Sequence, residues 1–437
     1  MYNARQMTEH PTTRTVAIID GLRTPFQKSG TGFQQLDARS LARTVLAGLL
    51  DRSGLPPDQL GQVVLGTALP VPGTDLTRDA ALAAGYSPHT PAHTVTDSCI
   101  SASRAVADAA LELGRSGGYA VAGGVEALSD APPVFGKKMR SRLFEARSAR
   151  TPLQFLNHLR GLKLTELTPG APASAEYSTG ETAGVNADRL AARFGISREE
   201  QDRYALRSHE LALRAEGSGR LAAEVMPVSL PPDFAFLESD NAIRRDSRPG
   251  ELARLEPAFV KPFGTVTTGN SSPEGDGAAA LLLARQDTAE ADGLPVRAVL
   301  RDWVFTAGDT DADLLLGPAF AVPQLLRRNG LAWDDLDVIE MHEAFAGQVL
   351  AVLAALGSDS FGRDRLGLNG AFADPHTDNL NLWGGSLALS HPFGATGARL
   401  LHTATSRLEA EDGRLALVAA CGAGGQATAM LLERSGT

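Results

Sequence analysis

Cysteine is nearly absent: Cys99 and Cys421 are the only two in 437 residues. Two thiols cannot build a disulfide framework or a four-cysteine metal centre, and they fit a reducing compartment. No run of eighteen apolar residues is present to cross a bilayer. Met1 to Arg14 is polar and lacks the apolar stretch of a secretory signal, so a soluble, cytoplasmic protein is expected. Surplus positive charge is missing as well. The formal net charge of -10 disfavours a general nucleic-acid binder, whose phosphate contacts need Lys and Arg.

With 43% hydrophobic and 21% charged residues, a chain of this length buries a large core and is expected to form two or three domains. A long-range duplication organises it. Gly54, Leu55, Asp58 and Leu60 precede the apolar run Val63-Val64-Leu65, and Gly330, Leu331, Asp334 and Leu336 precede Val338-Ile339, each pair 276 residues apart. Upstream of each copy lies a strand-like segment ending in Asp, Val16 to Asp20 and Val299 to Asp302. Downstream come a small-residue helix and a closing strand. In the first copy the helix runs from about Cys99 to Leu113 and the strand over Tyr119 to Gly124; in the second they cover Gly394 to Leu408 and Leu415 to Ala420. Short, uninterrupted apolar strands suit sheets covered on both faces. The pattern predicts an α/β protein of two duplicated halves in a layered arrangement of two sheets.

Between the copies lies an insertion, roughly Phe135 to Leu252, with a helix expected over Ser197 to Ala215 behind an N-cap serine and an acidic first turn. The domain bounds read as 1–134, 135–252, 253–290 and 291–437. Lys137 to Lys163 carries eight basic residues against Glu145 alone, a local charge of +7. Thr151-Pro152 reads as a helix start, with Phe155, Leu159 and Leu162 on one face. Such a segment is a solvated cover, a site for the phosphate groups of a ligand, a dock for a partner subunit, or a peripheral contact with an anionic membrane.

The chemistry concentrates at a few turns. Cys99, in Asp97-Ser98-Cys99-Ile100-Ser101-Ala102, stands at a helix entrance, where N-H groups and the helix dipole favour a thiolate nucleophile. The corresponding turn of the second copy holds His391, in Ser390-His391-Pro392-Phe393-Gly394, so related edges would bring nucleophile and base together. His342-Glu343-Ala344-Phe345 and Cys421-Gly422-Ala423-Gly424-Gly425 each follow a strand end, where open α/β sheets bind ligands.

Together with Gly123-Gly124-Val125-Glu126 and Gly269-Asn270-Ser271-Ser272, these motifs, in this order over almost the whole chain, resemble the thiolase family. Thr90 to Thr96, Leu314 to Pro318 and Trp383 to Leu387 are similar to its branch of trifunctional-enzyme β subunits. The resemblance implies two α/β halves with an α-rich loop domain inserted in the first. It also implies cleavage of 3-ketoacyl-CoA by CoA, or the reverse condensation, through an acyl-Cys99 intermediate. His391 would then deprotonate Cys99, His342 and His391 would hold the enolate oxygen, and Cys421 would move the proton at its carbon. Backbone N-H groups of Cys99 and Ala423 would form the oxyanion hole, with Ser272, Asn270 and Phe345 at the CoA ester. CoA is a substrate and no cofactor or metal is expected; the partners implied are a second or further copies in a homodimer or homotetramer, and a hydratase/dehydrogenase α subunit.

Three departures from the family pattern bear on the chemistry. Ser390 replaces a glycine before the active-site histidine, Asp97 brings a carboxylate near the nucleophile, and Ala183 stands where Met often lines the acyl pocket. A condensing ketosynthase of the same fold is the nearest rival, against which Cys421 argues, since decarboxylative condensation needs no second thiol. A non-catalytic assembly subunit is the remaining alternative.

Overall fold

The computed structural model describes residues 15–69, 71–163, 166, 168 and 175–435. The polar start, Met1 to Arg14, lies outside the described residues. The first half contains β1 (Val16–Arg23), β2 (Gln27–Lys28), α1 (Ala38–Ser53), β3 (Leu60–Gly66), α2 (Leu76–Ala83), β4 (Ala92–Val95), α3 (Ser101–Ser116) and β5 (Tyr119–Ala127). In the following segment lie α4 (Lys137–Ala146), α5 (Pro152–His158), α6 (Ala183–Arg193), α7 (Arg198–Gly217) and the hairpin β6 (Val228–Leu230) and β7 (Ala235–Leu237). The chain then returns to the first half as β8 (Gly275–Arg285). The second half has β9 (Ala298–Ala307), α8 (Pro318–Arg328), β10 (Val338–Met341), α9 (Ala346–Leu356), α10 (Thr396–Ala410), β11 (Leu415–Gly422) and β12 (Gln426–Arg434).

The strand order is β10-β11-β12-β9-β1-β8-β5-β3-β4, with β2 alongside β8. Read outward from the middle, β1-β8-β5-β3 and β9-β12-β11-β10 are the same arrangement twice, in direction as well as order. The sequence pattern implied two separate sheets. Here they join, because Val16–Ile18 of β1 pair antiparallel with Ala298–Leu300 of β9, which satisfies two backbone edges at once.

Alternation along the strands sorts side chains into layers. In β11, Leu415, Leu417 and Ala419 enter the outer core of the second half, while Ala416, Val418 and Ala420 enter a central core. In β1, Ala17 and Ile19 face the outer core of the first half, and Val16 and Ile18 face the centre. The central core also takes Ala105, Val106 and Ala109 of α3 and Leu400, Leu401 and Ala404 of α10, so these helices lie inside the folded sheet.

The repeat extends beyond the residues that first reveal it. Gly54 and Gly330 both have left-handed backbones, with φ of 65° and 66°, and each leads through a 3-10 turn into a strand. Arg52, at the end of α1, grips Asp20 through Nε and Nη2 at 2.7 Å and donates to the Gly21 carbonyl. Arg328, at the end of α8 and again 276 residues on, grips Asp302 through Nε at 2.7 Å and through Nη2, and donates to the Trp303 carbonyl at 2.7 Å. In both strands a register shift falls immediately before that aspartate. Two halves sharing a bulge, a clasp and a turn are copies of one unit.

In α7 a capping box of Ser197 and Glu200 starts the helix as its sequence predicts. The face expected from Phe155, Leu159 and Leu162 does not form, because α5 ends at His158. The outward apolar residues there are Phe144, Leu153, Phe155 and Leu156.

The halves meet closely at Gly124, where a Cβ would lie 2.0 Å from the Gly394 carbonyl oxygen and 2.8 Å from that of Gly66. Both obstacles are backbone and cannot swing away. Gly124→Ala should cost about 3 kcal/mol, the upper part of the overpacking range, as read from the urea midpoint; an unchanged midpoint would show that the halves can part without penalty.

Candidate active site

Cys99 and His342 follow strand ends, Cys421 is the penultimate residue of β11, and His391 follows the short helix Ser386–Leu389. β4 runs into a turn closed by Ile100 N-H to Asp97 O (3.1 Å) and Ser101 N-H to Ser98 O (3.2 Å), and α3 begins at Ser101. Ser101 Oγ accepts from Asp97 N-H at 2.8 Å and donates to Ser98 O at 2.6 Å, which fixes the turn. Cys99 stands on it, half-buried. Backbone N-H groups of Cys99 itself and of Ala423 point at its sulfur, which draws the thiol pKa down, while burial, Cys421 and Glu126 push it up. Burial is the largest effect, and the resting group is the neutral thiol.

Cys421 is fully buried, with its thiol pushed up to about 12 by desolvation. His342 follows β10 and extends the ladder through its N-H to Ala419 O at 2.8 Å. Burial, then the Arg399 guanidinium, lowers its pKa to about 3, so it is neutral at every physiological pH. His391 is lowered well below the usual imidazole range, by burial first and then by His342 and Arg399. The two imidazoles lie side by side, ring centres 4.1 Å apart and tilted 44°. Their Nδ1 atoms are engaged, His342 with Ser386 Oγ at 3.0 Å and His391 with Thr396 Oγ1 at 2.6 Å. Both Nε2 atoms are buried with no hydrogen-bond partner among the described residues.

Several carboxylates hold this arrangement. Glu126, buried at the end of β5, accepts from Ala68 N-H (2.8 Å), Leu69 N-H (3.2 Å), Thr67 Oγ1 (3.0 Å) and Gly394 N-H (2.9 Å), tying first-half loops to the His391 turn. Glu343 accepts from Tyr204 (3.0 Å) and Ser208 (2.7 Å) of α7 and from Asn381 Nδ2 (2.7 Å). Asp97 is paired: Arg104 Nε donates to it at 2.9 Å, and that guanidinium stacks 3.5 Å from the centre of the Phe305 ring. Its charge is therefore answered locally by a cation.

Among the residues expected at the CoA ester, Asn270 is placed differently. It is fully buried, accepting from Thr267 N-H at 2.8 Å and donating to Asp202 at 2.9 Å and Thr265 O at 3.1 Å, so its side chain is committed inside the fold. Ser272 is half-buried and donates to Ala344 O at 3.0 Å. Phe345 meets Phe259 edge-on at 5.9 Å. Ala183 packs near Phe345 against the second-half core, and the adjoining Gly184 leaves room for the Phe259 ring, 2.4 Å from where a Cβ would stand. Glu126, Thr396, Ser386, Arg399 and Phe259 were given no role in the sequence reading, although Glu126 and Ser386 lay within motifs singled out there.

Residues 16–287 match the family model described as thiolase, N-terminal domain, and residues 294–434 match thiolase, C-terminal domain. The chain belongs to the thiolase family. It is 46% identical over 426 residues to the trifunctional enzyme subunit beta, mitochondrial, of Bos taurus, covering 97% of this chain and 89% of that one. It is 42% identical to the 3-ketoacyl-CoA thiolase of Yersinia pestis, with 96% of each covered. The crystal structure of human mitochondrial 3-ketoacyl-CoA thiolase superimposes with a TM-score of 0.82 at 26% identity, covering 98% of this chain and all of that one.

Ser390 explains why glycine is usual at its position. Its φ of 76° and ψ of 170° fall in a region nearly restricted to glycine, which costs about 1–3 kcal/mol. A hydrogen bond from Oγ to Pro273 O at 3.0 Å offsets part of that. Ser390→Ala keeps the strain and loses the bond; Ser390→Gly loses both. The Gly variant should be more stable than the Ala variant by about 1–3 kcal/mol in urea, and equal midpoints would mean that the turn is unstrained.

Proposed function

We propose that this chain is an acetyl-CoA C-acyltransferase that cleaves 3-ketoacyl-CoA with CoA, and runs the reverse condensation, through an acyl group on Cys99. The observation that carries this reading is the set of two thiols and two imidazole Nε2 atoms, unpartnered among the described residues, on strand ends and helix-entry turns of a duplicated fold. Breaking a carbon-carbon bond beside a ketone needs a soft nucleophile at the ketone carbon and a site for the departing enolate. Cys99 Sγ attacks that carbon as His391 Nε2 takes its proton. The Cys99 and Ala423 amides receive the oxyanion, in the place where they already point at the sulfur.

Collapse expels the acetyl-CoA enolate, whose oxygen is held by His342 and by the protonated His391. Cys421 then delivers its proton to the enolate carbon. A thiol raised to about 12 is suited to this task, because it stays protonated until a carbanion-like centre is beside it. The CoA thiol next attacks acyl-Cys99 as its proton passes to the Cys421 thiolate; collapse of that tetrahedral intermediate releases the shortened acyl-CoA and the Cys99 thiolate, which takes back its proton from His391. Ser272 and Phe345 contact the ester, while Asn270 supports the segment that carries them. A ketosynthase-type condensation leaves Cys421 without a task. We also infer that the protein works in a reducing compartment, as a homodimer or homotetramer.

The Lys137–Lys163 segment has the composition of a dock. It exposes Phe144, Leu153 and Leu156 by 71%, 70% and 59% among its basic residues, a combination that favours an anionic, partly apolar partner such as an α subunit or a membrane surface. Replacing Arg147, Arg150 and Arg160 with Gln should weaken association with an α subunit or with anionic vesicles and leave acetoacetyl-CoA cleavage nearly intact. Collapse of cleavage with both associations unchanged would move the segment to the CoA site.

The central test is loss of acetoacetyl-CoA absorbance on adding CoA. Cys99→Ala should abolish it, and His342→Ala should lower it by about 10²- to 10³-fold. Cys421→Ala should still acylate Cys99, seen by mass spectrometry, yet lose proton exchange at the acetyl-CoA methyl group. An adduct formed on Cys421 in preference to Cys99 would reverse the assignment.

A further inference from the structure

Resting on that reading of the site, we propose that Thr396 and Ser386 are positioning residues that lock the two adjacent histidines in opposite tautomers, His391 protonated on Nδ1 and His342 on Nε2. The observation is that, among the described residues, each ring's Nδ1 is engaged by one neutral hydroxyl, and that each hydroxyl has a different second partner.

Ser386 Oγ lies 3.0 Å from Arg399 Nη2 and 3.0 Å from His342 Nδ1. A guanidinium only donates, so this bond occupies a lone pair of the serine oxygen. The serine hydrogen then has one acceptor in reach, His342 Nδ1. Were Nδ1 protonated instead, that hydrogen would be buried with no acceptor, at a cost of about 1–3 kcal/mol. The imidazole proton of His342 therefore sits on Nε2, and this atom faces the site as a donor.

Thr396 Oγ1 lies 3.0 Å from Pro392 O, one helical turn back, and 2.6 Å from His391 Nδ1. Pro392 O also accepts from Ala395 N-H at 3.0 Å and Thr396 N-H at 3.1 Å. Turning the hydroxyl hydrogen to Nδ1 would leave two oxygens 3.0 Å apart with no hydrogen between them, whereas keeping it on Pro392 lets the threonine oxygen receive Nδ1-H from the imidazole. His391 Nε2 is left with a free lone pair, as a base requires. Once it has taken the thiol proton, the same chain of Nδ1-H, hydroxyl and carbonyl is already oriented to support the imidazolium. No carboxylate bonds to this ring. The two buried rings, 4.1 Å apart, thus present one acceptor and one donor to the same space.

The assignment excludes a different arrangement that burial alone would permit, two Nε2-H donors side by side. In that state His391 could bind an oxyanion at rest and could not receive the proton of Cys99. The threonine hydroxyl decides between the two, with Val an isosteric replacement that removes it.

The test is 15N NMR of histidine-labelled enzyme, assigned by comparison with His391→Gln and His342→Gln. The wild type should show His391 as the Nδ1-H form and His342 as the Nε2-H form. Thr396→Val should release His391 into a tautomer mixture and lower kcat at least about tenfold, with KM within about twofold; Thr396→Ser should restore both. Ser386→Ala should release His342 alone. Two histidines in the same tautomer in the wild type, or a Thr396→Val spectrum unchanged at His391, would overturn the proposal. The spectrum is independent of turnover, so opposite tautomers in a protein with no thiolytic activity would sink the functional reading and leave this one standing.

Discussion

The five residues Asn270 to Glu274 hold the site together, because their backbone is threaded between the two histidine turns. Asn270 O accepts from Ala346 N-H at 2.9 Å, and Ser272 N-H donates to Ala344 O at 3.0 Å, which fixes the turn after His342. Pro273 O accepts both His391 N-H at 2.9 Å and Ser390 Oγ, which fixes the other. One end is anchored through the Asn270 amide to Asp202 of α7, and the other runs directly into β8 of the first half. A segment linked to the insertion, the first half and both turns of the second half cannot shift without moving both imidazoles. The 4.1 Å spacing of the rings therefore reflects backbone hydrogen bonds rather than ring-ring attraction.

The surroundings keep the reactive groups uncharged. Both thiols are raised and both histidines lowered, in each case chiefly by burial. Charge is confined to a layer behind them. Arg399 lies 3.6 Å from Glu340, which also receives Arg407 at 2.8 Å, and burial raises the Glu340 pKa to about 7 despite both partners. Arg399 acts on His342 twice, through its positive charge and through Ser386. Removing a buried cation from such a cluster leaves its carboxylate uncompensated, a more costly change than replacing the pair.

Much of this was legible in the sequence, for identifiable reasons. A left-handed turn demands glycine, so Gly54 and Gly330 mark the repeat, and the same spacing carries Arg52 and Arg328, whose clasp on Asp20 and Asp302 needed structure to see. Cys99 and His391 were visible at helix-entry turns, and His342 and Cys421 at strand ends, because turns of small residues are uncommon places for them. Asn270 was misread because an amide inside a motif looks alike whether it faces a ligand or a helix. The apolar face of α5 was misread because periodicity does not announce that a helix stops at His158. Ser386 lies inside the Trp383–Leu387 motif and Thr396 close after the His391 turn, yet neither shows its task in the sequence, since a hydroxyl acquires meaning only from its second partner.

Duplication supplies the frame, and divergence at equivalent positions supplies the chemistry. Cys99 and His391 occupy corresponding turns, and each is preceded by a serine with positive φ, Ser98 at 50° and Ser390 at 76°. The helices that follow touch at Ser103 and Gly397, where a Cβ on the glycine would fall 2.5 Å from Ser103 Oγ. Two copies of one turn, packed with their helix starts in contact, place a residue from each beside a shared space. Identical residues there would give two nucleophiles or two bases. Because one copy carries a thiol and the other an imidazole, the packing that buries the central core also pairs an acid with a base, and Glu126, bonded to Gly394 from the end of β5, fixes the distance at which the two turns meet.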